Sequence, residues 1–377
     1  MSPSRRVLVA IAAVIVVMVA VTLLRWHLQT RALVEALVRD VEATLASRVE
    51  LSPGAKHENG YACFADIERL TPKQLLPVAA RNDQVLEAVL DGGVIPEDWR
   101  PKLDALAPWA ESLRDCGDAA ALEFVPGVTP FELRNERGTD IIWVLVRLTQ
   151  LQLRELEAKR EWVGSVERCA SALEVSLDRS RLNFQGAMIA RTAVTRLAAP
   201  CGQALMRLPP EARERVKARF GALPARLATN GVLTDRERLW ISLGTYRWLL
   251  PPEVSTKLPE GSPLFGPGFV LVRLWKQYDA AMRTLVTAAD TRGPARREAE
   301  RAVDEALGKW WAPRQPVSRP DYEKLFMRNE ATRTLLQLLA HLAAPGETAL
   351  PGGVSRTGEG YEVTNFEGAR MFMPVQR

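Results

Sequence analysis

Residues Val7 to Leu24 read VLVAIAAVIVVMVAVTLL, eighteen in succession without a charge and with Thr22 as their one polar side chain. As a helix this run is about 27 Å long at 1.5 Å per residue. The hydrocarbon layer of a bilayer is roughly 30 Å thick and takes about 20 residues. Arg5 and Arg6 precede the run and Arg25 and Trp26 follow it. Arg snorkels toward the headgroups and Trp favours their level, so both flanks suit a membrane interface. A buried core helix fits badly, because this β-branched run is apolar on every side and sits at the N-terminus. A cleaved signal peptide has an apolar core of about 7–15 residues and a small-residue cleavage site. The best candidate for such a site, Ala20-Val21-Thr22, is poor. The expected organisation is a basic tail over 1–6 and a transmembrane helix over 7–25.

Flanking charge barely chooses a side. Two Arg and the amino terminus lie before the span, and Arg25, Arg31 and Arg39, diluted by Glu35 and Asp40, lie after it. Long domains cross largely regardless of local charge. We therefore expect a single-pass protein of the cell inner membrane, with the N-terminus cytoplasmic and the bulk of the chain periplasmic or extracytoplasmic. The cysteines agree. Cys63, Cys116, Cys169 and Cys201 make an even set suited to two disulfides in an oxidising compartment. Of the three pairings, Cys63 with Cys116 and Cys169 with Cys201 is preferred. Cys169 falls in one expected helix and Cys201 just after the next, so a fold-back near Leu182–Asn183 would bring them together.

Beyond the span the pattern is helical, and the expected fold class is all-α. It comprises the transmembrane helix, then a multi-helix bundle or helical-hairpin array, with a short β-hairpin-like tail. Val34, Val38, Val41, Leu45 and Val49 recur at helical spacing and extend the first helix as a stalk over 26–50. Such a stripe serves either a homodimer seam or docking on the chain's own core. Leu51-Ser52-Pro53-Gly54 stops it. The α-helical domain is expected over 51–344. Thr71-Pro72-Lys73-Gln74 and Thr234-Asp235-Arg236-Glu237 read as capping boxes that open helices. Further helices are expected over about 140–159, 161–178, 184–199, 268–289, 294–308 and 320–343. A Pro- and Gly-rich stretch over 250–267 reads as a surface loop or domain joint. In the tail over 345–377, Tyr361–Thr364 and Arg370–Met373 read as two short strands.

No chemistry announces itself. The chain lacks G-x-S-x-G, S-x-x-K, H-E-x-x-H, a P-loop and G-x-G-x-x-G. Only His27, His57 and His341 are available, and there is no C-x-x-C, so a zinc site is not expected. No cofactor is expected. The net charge of +5 is spread along the chain without a basic run, which argues against nucleic acid. The most polar core-like stretch is DRSRLNFQGAMIARTAVTR, Asp178 to Arg196. Asp178, Arg181, Asn183 and Arg191 could line a groove holding an anionic group. The competing account is a helix turn whose polar groups cap helix ends and pair with one another. The expected function is binding or scaffolding by a membrane-anchored envelope protein. Its partners are the lipid bilayer and either a second copy or another envelope protein. The alternative is an extracytoplasmic hydrolase with a carboxylate pair that only the fold could bring together.

Overall fold

The computed structural model describes residues 3–69, 84–90, 93–123, 136–181, 184–246, 268–311, 321–346, 349–358, 360–364 and 370–374. Helix α1, Pro3–Leu45, opens the chain. Its Val7–Leu33 portion is long and apolar enough to cross a membrane, and the uncharged run Val7–Leu24 within it is exposed along its whole length. The helix stops at Leu45, so the stalk expected through residue 50 is shorter. Val49 lies instead in strand β1, Arg48–Glu50. Side chains of the other stripe residues lie outside the description. A different face of α1 meets the protein. Trp26 and Leu33 are half-buried against the core, and Asp40 joins it through ions.

Strand β1 pairs antiparallel with β3, Ala119–Glu123, and β3 pairs parallel with β2, His57–Asn59. This small sheet was not legible in advance. Two of its strands have three residues each, too few to show alternation, and Ala-Ala-Ala-Leu-Glu reads as helix. Asn59 fastens its edge, donating from Nδ2 to the Glu123 carbonyl at 2.7 Å.

The helices form two lobes. The first is built from α2 (Gly60–Arg69), α3 (Gln84–Leu90), α4 (Arg100–Asp115), α5 (Glu136–Ala158), α6 (Trp162–Ser180), α7 (Phe184–Arg207) and α8 (Pro210–Arg226). Helix α6 is its axis, and every residue from Ala172 to Ser180 is buried. The expected disulfides are both present. Cys63–Cys116 ties α2 to the end of α4 with Cα atoms 5.4 Å apart. Cys169–Cys201 ties the α6–α7 hairpin at 5.7 Å. Cys201 lies within α7, which runs on through Pro200 rather than ending near residue 199.

The second lobe comprises α9 (Asn230–Tyr246), α10 (Gly268–Ala288) and α11 (Pro294–Trp311) around Tyr278, Met282, Leu285 and Val303. Helix α9 begins at Asn230, so the capping box expected at Thr234 is not its start; the Thr234 hydroxyl donates back to the Asn230 carbonyl at 2.7 Å. Helix α12, Tyr322–Ala343, serves both lobes. Tyr322 and Phe326 lie in the second core and Leu335 to Ala343 in the first. Its N-terminus is capped by the Asp321 carboxylate, which accepts from the Lys324 amide at 2.9 Å. The tail forms a three-stranded antiparallel meander, β4 (Val354–Thr357), β5 (Gly360–Thr364) and β6 (Arg370–Pro374). The two expected strands are β5 and β6. Tyr361 and Val363 of β5 pack into the first lobe's core. The expected capping box at Thr71 and the joint over 250–267 lie outside the described residues.

Candidate functional site

Polar side chains on a helix buried all round must find partners within the protein. The last two turns of α6 therefore organise a polar seam that joins α6 to α8 in the first lobe and ends where the second begins. Glu174 receives Arg219 of α8 at 3.2 and 2.5 Å, and Arg219 also donates to the Ser171 hydroxyl at 2.9 Å. Asp178 receives Nη1 of Arg226 at 3.1 and 3.2 Å. Burial pushes the Asp178 carboxyl up to about 7. Arg226 opposes that rise, and the nearby Glu174 carboxylate adds to it. Burial, reinforced by the Asp178 charge, likewise holds the Tyr61 phenol of α2 well above its ordinary value.

Helix α8 ends on Arg226, and its last carbonyls need donors. Arg181, just past α6, donates to the Arg226 and Ala225 carbonyls at 3.1 and 2.6 Å. Arg333 of α12 donates to the carbonyls of Pro224, Leu227 and Ala228 at 3.0, 3.4 and 3.4 Å. Two guanidinium groups thus meet the negative end of one helix dipole. Burial lowers the Arg333 pKa, Asp290 pulls it back up, and nearby Arg181 lowers it further. The connection onward is equally bonded. The Ala228 amide donates to the Ser180 hydroxyl at 3.2 Å. Asn329 donates to the Ala228 carbonyl and to Asn230 Oδ1, both at 2.9 Å. Asn230 in turn donates to the Ala289 carbonyl at 3.2 Å.

A cleft of about 490 Å³ opens at this seam, lined by Asn230, Asp290, Arg292, Asn329, Glu330 and Arg333 among others. Its floor is the start of α9, where the Asp290 carboxylate accepts from the Asn230 and Gly231 amides at 2.7 and 3.2 Å. That carboxylate occupies the place an anion would take at the helix N-terminus. Glu330 is held by Arg292 and by Arg296, the latter at 2.9 Å. The cleft is thus polar, charge-balanced and largely bonded to itself.

A second cleft, of about 670 Å³, lies between α11 and the start of α12 and is lined by Glu300, Asp304, Asp321 and Glu323 with Arg297, Arg301 and Tyr322. Burial raises the Glu300 pKa, Arg296 at 3.5 Å opposes it, and the neighbouring carboxylates Glu323, Asp304 and Asp321 add to the rise. No group of three or more His, Cys, Asp and Glu side chains placed to hold a metal occurs among the described residues.

Of the residues singled out in the sequence, the seam brings Asp178 and Arg181 together. Arg181 spends two of its donors on carbonyls at the end of α8, within reach of the Asp178 charge. Arg191 lies half-buried on α7. Asn183 lies outside the described residues. Arg196 points elsewhere, bonding Glu87 at 3.1 Å and covering the Trp143 ring at 5.4 Å. Arg226, Asn230, Asn329 and Arg333 were missed. They lie 48 to 155 positions from Asp178, as their numbers show, and no local motif marks them. Comparison with family models, with curated proteins and with solved structures finds no match for the chain.

Proposed function

We propose that this is a single-pass inner-membrane protein with a cytoplasmic N-terminus, whose helical domain lies on the extracytoplasmic side. It acts there by binding or scaffolding other envelope proteins or a second copy of itself. The observation that carries the reading is α1: an uncharged apolar stretch left wholly exposed, continuous with a helix docked on the domain. The two disulfide-bonded pairs support the oxidising side. The seam supports a scaffold, because its polar groups bind backbone and one another and so hold two lobes in register. Reporter fusions after Arg377 test the topology; activity of a cytoplasm-only reporter overturns it. Crosslinking of the full chain in native membranes tests the binding role. A chain that stays monomeric and forms no specific adduct overturns that part.

The second cleft favours one other reading, an extracytoplasmic hydrolase. Glu300, with its raised pKa, would serve as the proton donor and one of Asp304, Asp321 or Glu323 as the ionised partner. Turnover of ester, glycoside or peptide substrates by the full chain, lost in Glu300→Gln and in the partner's Asn or Gln variant, would establish it. A full chain inert toward all three classes, or turnover untouched by Glu300→Gln, removes it.

A further inference from the structure

We propose that the lobe formed by α9, α10 and α11 rests in the phospholipid headgroup layer, clamped there by α1 rather than hung from it on a tether. The inference rests on the membrane-anchored reading of α1. Leu24 is the last residue of the uncharged run, and Trp26 follows two residues later, about 3 Å further along the helix axis. The headgroup region on each side of a bilayer is roughly 5–8 Å deep. Trp26 therefore lies within it, at the level where Trp side chains are enriched. It is also half-buried against the core that holds Trp275, Tyr278 and Met282. Whatever part of the lobe encloses Trp26 shares its depth and meets the same lipid headgroups.

The attachment continues upward. Leu33 packs on the same core. Asp40 Oδ2 receives Arg238 of α9 at 3.1 Å and Arg283 of α10 at 2.6 Å. Trp26, Leu33 and Asp40 are spaced by seven residues, so they share one face of α1 over about 21 Å. Arg238 is buried and also bonds Asp235 and Asp279, each at 2.8 Å, and Arg283 bonds Asp279 at 2.8 Å. Asp40 thus closes a network that fixes α9, α10 and the anchor together. Arg25, exposed beside Trp26, adds a cation at the depth of the lipid phosphates.

Energy transfer from a dye at the exposed Lys276 of α10 (Lys276→Cys) to headgroup-labelled lipid tests the clamp. The full chain is reconstituted in vesicles of phosphatidylcholine and phosphatidylglycerol. Lys276 lies three residues before Asp279, whose network partner Asp40 is about 24 Å beyond Leu24 along α1. Strong transfer with a narrow lifetime distribution is expected. Asp40→Arg turns a positive charge on Arg238 and Arg283, which keep their other carboxylates, so α1 loosens without orphaning a buried ion. Leu33→Asp loosens it through the apolar contact. In either variant that retains its near-ultraviolet circular dichroism, transfer is lost in part and its distribution broadens. Unchanged transfer in both folded variants, or weak and broad transfer in the parent, overturns the clamp. A parent chain that does not float with the vesicles overturns the anchor reading itself.

Discussion

Comparing the parent with Asp178→Asn should reveal a pH dependence opposite to that expected of a salt bridge. An ordinary paired carboxylate has a depressed pKa and stabilises the fold increasingly as pH rises. Asp178 is displaced the other way, from an ordinary 3.8 to about 7, because burial outweighs the attraction of Arg226. The sign follows directly. Between these values the folded state holds a proton on Asp178 that the unfolded chain has released. Each unit of pH therefore removes up to about 1.4 kcal/mol of stability, and the loss is complete once pH exceeds about 7. The full contribution is on the order of 4 kcal/mol. Asn cannot titrate but keeps a carbonyl oxygen for Arg226. The stability of the parent minus that of Asp178→Asn should thus fall by that order between pH 4 and pH 8, while the other carboxylates cancel in the difference. Urea unfolding of the full chain in mild detergent, followed by circular dichroism at half-unit pH steps, measures it. A difference that stays flat, or rises with pH, would refute the reasoning and make Asp178 an ordinary ionised partner of Arg226.

Three other outcomes are expected. Substituting Ala for both cysteines of either disulfide should cost about 4 kcal/mol, since closing loops of 32 or 53 residues constrains the unfolded chain to that extent; unchanged melting temperatures would mean the pairs do not form. Asn329→Ala should cost about 1–3 kcal/mol, because it leaves Asn230 Oδ1 without its donor and deprives the Ala228 carbonyl of one of two; a neutral effect in thermal unfolding would argue against the seam as drawn. Ile15→Lys places a charge near the middle of the apolar run, at about 3 kcal/mol on insertion scales; carbonate extraction should release more of that variant than of the parent.

The sequence was most informative where one residue type repeats at a fixed spacing. The apolar run of α1 needs no partner to be recognised, and the Pro294 helix start is marked by a residue that punctuates locally. The Cys169–Cys201 pairing was legible because a short turn near Leu182–Asn183 lets its two helices fold back on each other. Long-range events were not legible. Residues 48–50 look like the end of a helix until β3, some seventy positions later, supplies hydrogen bonds to them. The seam is the same case. Asp178 and Arg181 stood out as polar residues in an apolar context, but their partners sit on α8 and α12, whose sequences show only ordinary surface-like Arg and Asn. The Thr234 box failed because Asp290, sixty residues on from Asn230, supplies an earlier cap.

The two lobes are held by different means, and the difference bears on how the protein sits on its membrane. Both disulfides fall in the first lobe, and the α1 dock falls on the second. Helices α7 and α12 pass through both cores, with Phe184 and Phe326 on one side of the seam and Leu197 and Leu339 on the other. Separating the lobes would therefore require breaking a helix or withdrawing a buried aromatic ring, as well as breaking the bond from the Ala228 amide to the Ser180 hydroxyl. Packed interiors do not deform continuously, so the seam acts as a weld. An anchor fastened to the second lobe then sets the orientation of the first. If α1 spans the bilayer as proposed, the first lobe is thereby held at a fixed angle to it. A partner that must be met at a set height above the membrane could use such an arrangement, whereas a freely tethered domain would lose that advantage to the entropy of its linker.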